Sequence, residues 1–417
     1  MKAVGITAEY NPLHYGHVYH LHEARTMTDA DAVIVALSGN FVQRGMPAVS
    51  DKWSRAEHAL RCGADLVIEI PVLHCLGNAG QYASAGVRLL ESLGVSHIAF
   101  GSESGNTEAL INTASFLKEN KDELEEEIQS FGRKGYSYPA AREMAFRKLG
   151  GNDEGLNILS SPNDILAIEY ILHMNKAVPA AVMRLGAGYS QGEGSDQLFQ
   201  SSTGIREMIR SGGDFSDHVP ECVRDDLTGM YIPESVKEKD ARLFDLIKYA
   251  ALAASPEDID DCPSGGEGLG NLVRSEVRNA DTLDQLIKHV KSRRYTYTRI
   301  SRLLMQLLLG IDRSTYYDNK GAACPGPGYI RILGFNDAGR KYLSEVKNDE
   351  TCPLPVITNI NKEKNCMNGE AAGMLDLDVH ASDIYSLVSG RNIYENSDHI
   401  KRPVILKKTS VADCARY

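Results

Sequence analysis

Two histidines separated by two residues, His14 and His17, have the types and spacing that most directly suggest chemistry in this sequence. They belong to the segment TAEYNPLHYGHVYHLHEAR, residues 7–25, in which a short apolar run leads through a turn into a helical pattern. A strand that feeds a loop and then a helix brings backbone N–H groups and the positive helix end beside both imidazoles. Imidazoles placed there can donate hydrogen bonds to charge developing on a phosphoryl oxygen, and Gly16 lets a flat base approach the backbone. The segment therefore predicts a nucleotide phosphate site.

Two other interpretations of these histidines remain open. His14, His17, His20 and His22 can be metal ligands, or they can be ordinary surface histidines. A zinc site usually adds Cys or carboxylate ligands at a recognisable spacing, and the sequence has no such spacing nearby. We therefore predict no protein-bound metal, and we expect Mg²⁺ to arrive with ATP by bridging its phosphates.

The composition is that of an ordinary globular protein. The 417 residues, 42% hydrophobic and 24% charged, allow two or three domains. Because the formal net charge is -11, a nucleic-acid surface must be a local patch.

Eight cysteines without a Cys-x-x-Cys pair indicate reduced thiols in a cytoplasmic protein. The sequence opens without a leader-like segment and has no run near the ~20 apolar residues that a membrane span needs.

Apolar runs alternate with helical patterns through the first half of the chain. The runs that read as buried strands are 2–7, 31–37, 65–70, 95–100 and 180–184. This alternation predicts an α/β fold, a Rossmann-like parallel sheet with right-handed crossovers over residues 1–211. After it, residues 212–417 are expected to form a mostly helical region. Ligands of such sheets bind beyond the carboxyl ends of the strands, so the loops expected to line a site are 7–17, 38–50, 71–81 and 101–105.

Other segments carry groups suited to a nucleotide. The run SSTGIR, residues 201–206, opens a helix, so its hydroxyls, N–H groups and Arg206 form a second anion-binding helix end. The alternative is an ordinary Ser/Thr N-cap. Arg184 and the glycine-rich residues 186–189 follow the fifth strand. Asn163 stands at a helix start, where a capping role is the alternative.

Positive charge is concentrated in residues 288–302, KHVKSRRYTYTRISR, a stretch without an acid. Its cations are Lys288, Lys291, Arg293, Arg294, Arg299 and Arg302, and Tyr295 and Tyr297 lie among them. Cations contact phosphates and aromatic rings stack on unpaired bases, so the stretch favours RNA binding. The alternative is a basic helix pair that balances acidic neighbours.

The ordered set of motifs resembles a known family. The His-x-Gly-His start and the Ser202-Thr203-x-Ile205-Arg206 segment resemble the two signatures of the nucleotidyltransferase superfamily, which shares its fold with class I aminoacyl-tRNA synthetases. The wider set is similar to bacterial tRNA(Met) cytidine acetate ligases over most of residues 1–310: EYNPLHYGH, SGNFVQRG, GADLVIEIP, FGSE, KGYSYPAARE, SPNDILAIEY and YTYTRISR. One departure is Ser201-Ser202-Thr203, where the family has Ser-Ala-Thr.

The resemblance implies an ATP-dependent ligase with a nucleotidyltransferase domain. ATP and acetate would give acetyl-adenylate and pyrophosphate, and the acetyl group would pass to the wobble cytidine of elongator tRNA(Met), giving N4-acetylcytidine. His14 and His17 would act on the phosphates as the catalytic residues. The implied ATP site comprises Thr7, Ala8, Glu9, Tyr10, Asn11, Pro12, Leu13, His14, Tyr15, Gly16, His17, Val18, Tyr19 and His20, with Gly101, Asn163, Arg184, Leu185, Ser202, Thr203 and Arg206. The implied tRNA surface includes Lys291, Arg293, Arg294, Tyr295, Tyr297, Arg299 and Arg302.

The residues alone leave two other functions open. One is an adenylyltransferase that joins ATP to a phosphorylated metabolite, which leaves the later half of the chain unexplained. The other is a non-catalytic RNA-binding protein that keeps ATP as a regulatory ligand. Acetate is too small an anion for a sequence pattern to specify its pocket.

Overall fold

The core of the molecule is a mostly parallel sheet built from the apolar runs of the sequence. The computed structural model describes residues 1–136, 138–185, 200–230, 233–292, 294–316, 326–348 and 352–407. Its strands are β1 (Ala3–Ala8), β2 (Ala32–Ser38), β3 (Phe41–Val42), β4 (Met46–Pro47), β5 (Leu66–Ile70), β6 (His97–Ser102), β7 (Val178–Met183), β8 (Ile330–Phe335), β9 (Val356–Ile357) and β10 (Val404–Ile405). The five predicted strands are confirmed as β1, β2, β5, β6 and β7.

Helices make up most of the rest of the described chain. They are α1 (Tyr15–Thr28), α2 (Lys52–Arg61), α3 (Val72–Cys75), α4 (Ala79–Ser92), α5 (Thr107–Glu119), α6 (Lys121–Arg133), α7 (Tyr138–Lys148), α8 (Asp153–Ser160), α9 (Pro162–His173), α10 (Ser202–Ser211), α11 (Glu221–Met230), α12 (Pro233–Ala253), α13 (Pro256–Asp260), α14 (Leu269–Glu276), α15 (Leu283–Val290), α16 (Tyr297–Leu308), α17 (Arg313–Tyr316), α18 (Asp337–Asn348), α19 (Ile360–Glu363), α20 (Gly369–Val388) and α21 (Ile393–Asn396). The later region is mostly helical, as expected.

The strands follow the order β10-β8-β5-β2-β1-β6-β7. The pairs β1–β2, β2–β5, β1–β6 and β6–β7 are parallel, which confirms the α/β fold class. All seven residues of β2 are buried, because alternate side chains face helices on opposite sides of the sheet. The carboxyl ends of these five strands therefore meet at one edge, where a ligand is expected.

The sheet continues past the strands that the sequence predicted. Strand β8 pairs antiparallel with β5, and β9 and β10 pair parallel with β8. The run IRILGF that forms β8 is apolar except for Arg331, which is buried. The domain boundary at residue 211 stays a prediction, and the sheet itself extends beyond it.

Charged side chains from both halves of the chain meet in the core beside β5. Lys52 Nζ lies 2.7 Å from Glu69 Oε1 and 2.7 Å from Asp398 Oδ2. Arg331 Nη1 lies 2.8 Å from the same Asp398 oxygen. The four side chains are at most 3% exposed, and their charges balance as burial requires. The segment around Asp398 therefore belongs to the same core as the first strands.

Candidate nucleotide site

The His-x-Gly-His segment lies where β1 ends and α1 begins. His14 is the N-cap of α1, and its Nδ1 accepts a hydrogen bond from the Gly16 N–H at 3.1 Å. The His14 N–H donates to His17 Nδ1 at 3.3 Å, so the two histidines form a capping box. Their rings stack with centroids 3.8 Å apart. Because Nδ1 is an acceptor in both rings, each neutral imidazole carries its proton on Nε2.

Both imidazoles are held neutral. Burial lowers the pKa of His14 to about 3, with the Arg184 and His218 charges acting in the same direction. Burial, together with His14, Arg184 and His20, places the pKa of His17 well below its usual range. Burial also lowers the pKa of His20 to about 4. The segment therefore offers neutral N–H donors and a helix N-terminus to an anion.

A buried arginine that the sequence analysis missed fixes the loop before these histidines. Arg55, on α2, is fully buried and donates from Nη1 to the carbonyls of Glu9 at 2.7 Å and Ser38 at 3.0 Å. Its Nη2 donates to the Gly39 carbonyl, and Asn11 Oδ1 accepts from the Val49 N–H at 2.8 Å. The ends of β1 and β2 and the following loops are thus held together.

The second signature segment contacts the first. Arg206 Nη1 donates to the Asn11 carbonyl at 2.6 Å, and Ser202 Oγ donates to the Pro12 carbonyl at 3.2 Å. Arg206 Nη2 also donates to Thr203 Oγ1 at 3.0 Å. The N-cap of α10 is Ser201, whose Oγ accepts from the Gly204 N–H. The segment therefore caps α10 through Ser201, and it also packs against the His-x-Gly-His loop, while anion binding at this helix end stays a prediction.

Gly101, Asn163 and Arg184 come together at the ends of β6 and β7. A Cβ on Gly101 would lie 3.3 Å from the Arg184 side chain, and Arg184 Nη1 lies 3.5 Å from Asn163 Oδ1. Asn163 does not cap α9; its side chain donates to Glu103. Leu185 follows Arg184 and is 46% exposed, while the predicted glycine-rich loop 186–189 lies outside the described residues.

Asp164 is a further residue that the sequence analysis missed. Its carboxylate is buried and accepts from Ser102 Oγ and from the N–H groups of Glu103 and Ser104, both at 3.1 Å. Asp164 thus fixes the loop after β6 to the first turn of α9, which positions Gly101 and Asn163. Its position at a helix start resembles a cap, so the sequence gave no separate signal for this role.

Several predicted site residues can meet a ligand only through their backbone. Tyr10, Leu13, Tyr15 and Val18 are buried in the apolar core, and the Tyr10 ring stands edge-on to His17 at 4.9 Å. The others of the loop lie at the same strand end: Thr7 and Ala8 close β1, and Glu9, Pro12, Gly16 and Tyr19 complete the turn and first helical turns.

The predicted RNA-binding residues lie around the start of α16, and most have partners within the protein. Arg294 Nε lies 2.8 Å from Glu267, to which Tyr295 OH also donates, and Tyr297 OH donates to Asp284. Arg299 donates to the carbonyls of Ser264 and Gly265, and the Arg302 side chain is half-buried. Lys291 is exposed, and Arg293 lies outside the described residues. These contacts agree with the basic-helix alternative for Arg299 and Arg302, and the RNA-binding assignment stays a prediction.

The family follows from comparison with known proteins. Residues 1–399 match the family model described as HIGH Nucleotidyl Transferase.

The chain belongs to the HIGH nucleotidyl transferase family.

Relatives agree with the resemblance inferred from the motifs. The tRNA(Met) cytidine acetate ligase of Clostridium novyi is 35% identical over 416 residues, which is 98% of this chain and 100% of that protein. The enzyme of the same name from Caldanaerobacter subterraneus subsp. tengcongensis is 37% identical over 404 residues, 93% of this chain and 95% of that protein. The crystal structure of Thermotoga maritima TmcAL bound with alpha-thio ATP superimposes with a TM-score of 0.85 at 31% identity, covering 98% of this chain and 100% of that one. The resemblance is therefore confirmed, and it extends well past residue 310.

The described residues contain neither a metal-site cluster nor a membrane-spanning helix. No group of three or more His, Cys, Asp or Glu side chains there has the arrangement of a metal site. No helix in that part of the chain has both the length and the apolar character needed to cross a bilayer.

Proposed function

We propose that the chain is an ATP-dependent ligase that activates acetate as acetyl-adenylate and acetylates the wobble cytidine of elongator tRNA(Met). The observation that carries the proposal is its near full-length similarity to proteins named tRNA(Met) cytidine acetate ligase. Three features of the site agree with it: the shared edge at which the parallel strands end, the neutral imidazole pair, and the α10 segment packed against the loop.

The donor set suits ATP. The α1 N-terminus, the Nε2–H groups of His14 and His17, and the Arg184 guanidinium are groups that bind phosphate. Asn11 Nδ2 and His20 Nε2 are buried and have no hydrogen-bond partner within the described residues, as expected of polar atoms that a ligand completes. Mg²⁺ would bridge the phosphates, and the known preference of this ion for phosphate and water oxygens requires no protein cage.

The proposed reaction has two steps. An acetate oxygen attacks the α-phosphorus of ATP, the bond to the β-phosphate breaks, and pyrophosphate leaves with the negative charge. His14 and His17 donate to that charge from Nε2, which stabilises it without a change in their protonation. The N4 amine of cytidine then attacks the acetyl carbonyl carbon, AMP leaves, and the amine loses a proton. A tRNA substrate fits a cytoplasmic location.

Isotope exchange tests the first step on the full chain. With acetate, ATP and labelled pyrophosphate but no RNA, label should appear in ATP only when acetate is present. Exchange that does not depend on acetate but requires a phosphorylated metabolite would identify an adenylyltransferase instead. Binding of ATP with no exchange under either condition would favour a non-catalytic RNA-binding protein.

A further inference from the structure

The hairpin beside the nucleotide loop carries an exposed cation, Arg44. Arg44 lies in the turn of the β3–β4 hairpin, between Val42 and Met46. Its side chain is exposed, and it has no hydrogen-bond or ion-pair partner within the described chain. The rest of the hairpin is fixed: Phe41 and Val42 are fully buried, and the Phe41 ring packs edge-on against Tyr385.

The two neighbours of Arg44 are anchored to different parts of the molecule. The Gln43 N–H donates to Glu9 Oε1 at 2.9 Å, which ties one side of the turn to the nucleotide loop. The Gly45 carbonyl accepts from Ser301 Oγ at 2.6 Å, which ties the other side to α16. A Cβ on Gly45 would lie 2.4 Å from the Arg302 backbone nitrogen, so only glycine allows this approach. Arg44 therefore lies in a turn that is anchored on one side to the nucleotide loop and on the other to α16, which carries the last residues of the basic stretch.

The electrostatics of the site agree with that position. Burial raises the pKa of Glu9, and Arg44 is the foremost cation acting against that rise. Arg44 also acts, after burial, to lower the pKa of Arg206, whose guanidinium bonds to the Asn11 carbonyl. The Arg44 cation is thus near the nucleotide loop while its side chain remains open to solvent.

We infer that Arg44 is a positioning residue that binds a backbone phosphate of the acceptor RNA where the RNA enters the nucleotide site. The inference rests on the proposed function, because only a macromolecular acceptor needs a contact between the basic stretch and the nucleotide loop. A guanidinium that is exposed, charged and rigidly supported meets the requirement of a phosphate contact, and its location restricts that contact to RNA near the reacting base. In the proposed site, ATP already has the α1 N-terminus and Arg184 as phosphate-binding groups.

The test uses substitutions of similar size in the full chain. Arg44→Gln removes the charge, Arg44→Lys keeps it, and Arg133→Gln removes an exposed cation at the end of α6, outside the site. Three quantities are measured for each: acetate-dependent pyrophosphate exchange without RNA, the KM and kcat of acetyl transfer to tRNA, and tRNA affinity as a function of salt.

Arg44→Gln is expected to keep exchange within about twofold, to raise the KM for tRNA by about tenfold, and to reduce the salt slope of binding by about 0.7–0.9. Arg44→Lys should recover most of the affinity, and Arg133→Gln should behave as the wild type. Equal loss of exchange and transfer in Arg44→Gln would overturn the inference and place Arg44 on the nucleotide. An unchanged KM and salt slope in a variant of normal melting temperature would also overturn it. Failure of the wild type to transfer acetyl at all would contradict the proposed function itself, whereas failure of Arg44→Gln alone to differ would leave that function intact.

Discussion

At the scale of single residues, the decisive feature is that the Nδ1 atoms of His14 and His17 both accept backbone hydrogen bonds, from the Gly16 N–H and the His14 N–H respectively. This arrangement leaves Nε2–H of each ring for a ligand, and burial prevents either ring from becoming a cation. A neutral donor aimed at developing charge stabilises a transition state without needing to change its own proton.

Removal of either ring should slow adenylate formation. We expect His17→Ala and His14→Ala each to lower acetate-dependent pyrophosphate exchange by roughly 10²-fold or more, the scale for losing one preorganised donor. Because the capping box also stabilises α1, the melting temperature is measured on the same samples, and His17→Asn serves as a capping-competent comparison. Exchange near the wild-type rate in both alanine variants would refute the assignment.

The buried histidines should make the fold sensitive to acid. The pKa of His14 is about 3 and those of His20, His58 and His74 are about 4, all below the value near 6.5 in an unfolded chain. Between these values the unfolded chain binds protons that the folded chain does not. The contribution of these histidines to the free energy of unfolding should therefore fall as pH drops from 6.5 towards 4, by up to about 1.4 kcal/mol per pH unit for each group. Asp226 and Asp378, whose pKa values burial raises to about 6 and about 7, offset part of this fall.

Urea unfolding between pH 7.5 and pH 5 measures this dependence. His20→Gln should reduce the slope by about one proton, whereas His22→Gln, at an exposed position on the same helix, should leave it unchanged. A slope that is the same in His20→Gln and the wild type would show that His20 is not held neutral by the fold.

At the scale of elements, we propose that residues 288–302, which end on α16, and the β3–β4 hairpin connect RNA binding to nucleotide chemistry. Arg294 forms an exposed ion pair with Glu267, and pairs of this kind contribute at most about 1 kcal/mol. An RNA phosphate can therefore replace Glu267 at little cost. Arg299 and Arg302 have contacts within the protein instead. Arg299 donates to two loop carbonyls, and the Arg302 backbone lies against Gly45 of the hairpin.

The double substitution Arg293→Ala with Arg294→Ala should separate the two half-reactions. Transfer of acetyl to tRNA and tRNA affinity should fall, and the salt slope should decrease by about one for each lost contact. Acetyl-adenylate formation without tRNA should be nearly unchanged. The matched control is Arg133→Ala with Lys134→Ala, an exposed cation pair at the end of α6. Unaltered tRNA affinity in a stable double variant would place the RNA surface elsewhere.

Gly45→Ala should lower the free energy of unfolding for two reasons, which a control variant can separate. Gly45 has φ +78°, and an added Cβ would meet the α16 backbone at 2.4 Å. Gly94 has the same φ, but the nearest atom to its added Cβ is 3.9 Å away. Gly94→Ala therefore measures backbone strain alone, about 1–3 kcal/mol. Gly45→Ala should lower the free energy of unfolding, measured by chemical denaturation, by about 1–3 kcal/mol more than Gly94→Ala does. Equal losses of stability in the two variants would mean that the hairpin does not depend on this contact.

At the scale of the whole molecule, one core joins the two ends of the chain. Asp398 is 346 residues from Lys52, yet its carboxylate contacts both Lys52 and Arg331. Burial alone would raise the pKa of Asp398, but these two cations hold it below its usual range. We expect the pairing of β5 with β8 to depend on that carboxylate.

Asp398→Asn should lower the free energy of unfolding by about 3–5 kcal/mol, because it leaves a buried cation without compensation. Asp376→Asn, in an exposed pair with Lys364, should cost at most about 1 kcal/mol. Denaturant titration of both variants checks the comparison, and similar small losses would show that the cluster around Asp398 is not needed to complete the fold.

The features that the sequence predicted lie within one continuous stretch each. The features that it did not predict depend on contacts between residues far apart in the chain. The His-x-Gly-His segment and the five parallel strands are each continuous, so their spacing and hydrophobicity are visible in one stretch. The roles of Arg55, Asp164 and Asp398 arise from carbonyls, N–H groups and cations that only folding brings near them. Strand β8 was missed because Arg331 interrupts its apolar run, and its charge is balanced by residues remote in sequence.

The proposed acetate ligase activity is tested most directly by mass analysis of the wobble cytidine after reaction of the purified chain with elongator tRNA(Met), ATP, Mg²⁺ and isotopically labelled acetate. We expect N4-acetylcytidine carrying the acetate label at that position, with AMP and pyrophosphate formed in equal amounts. Reactions lacking ATP or acetate, or containing the His17→Ala chain, should give unmodified cytidine at the same time point. Unmodified cytidine in the complete reaction, with a protein that binds both ATP and the tRNA, would contradict the proposed ligase activity.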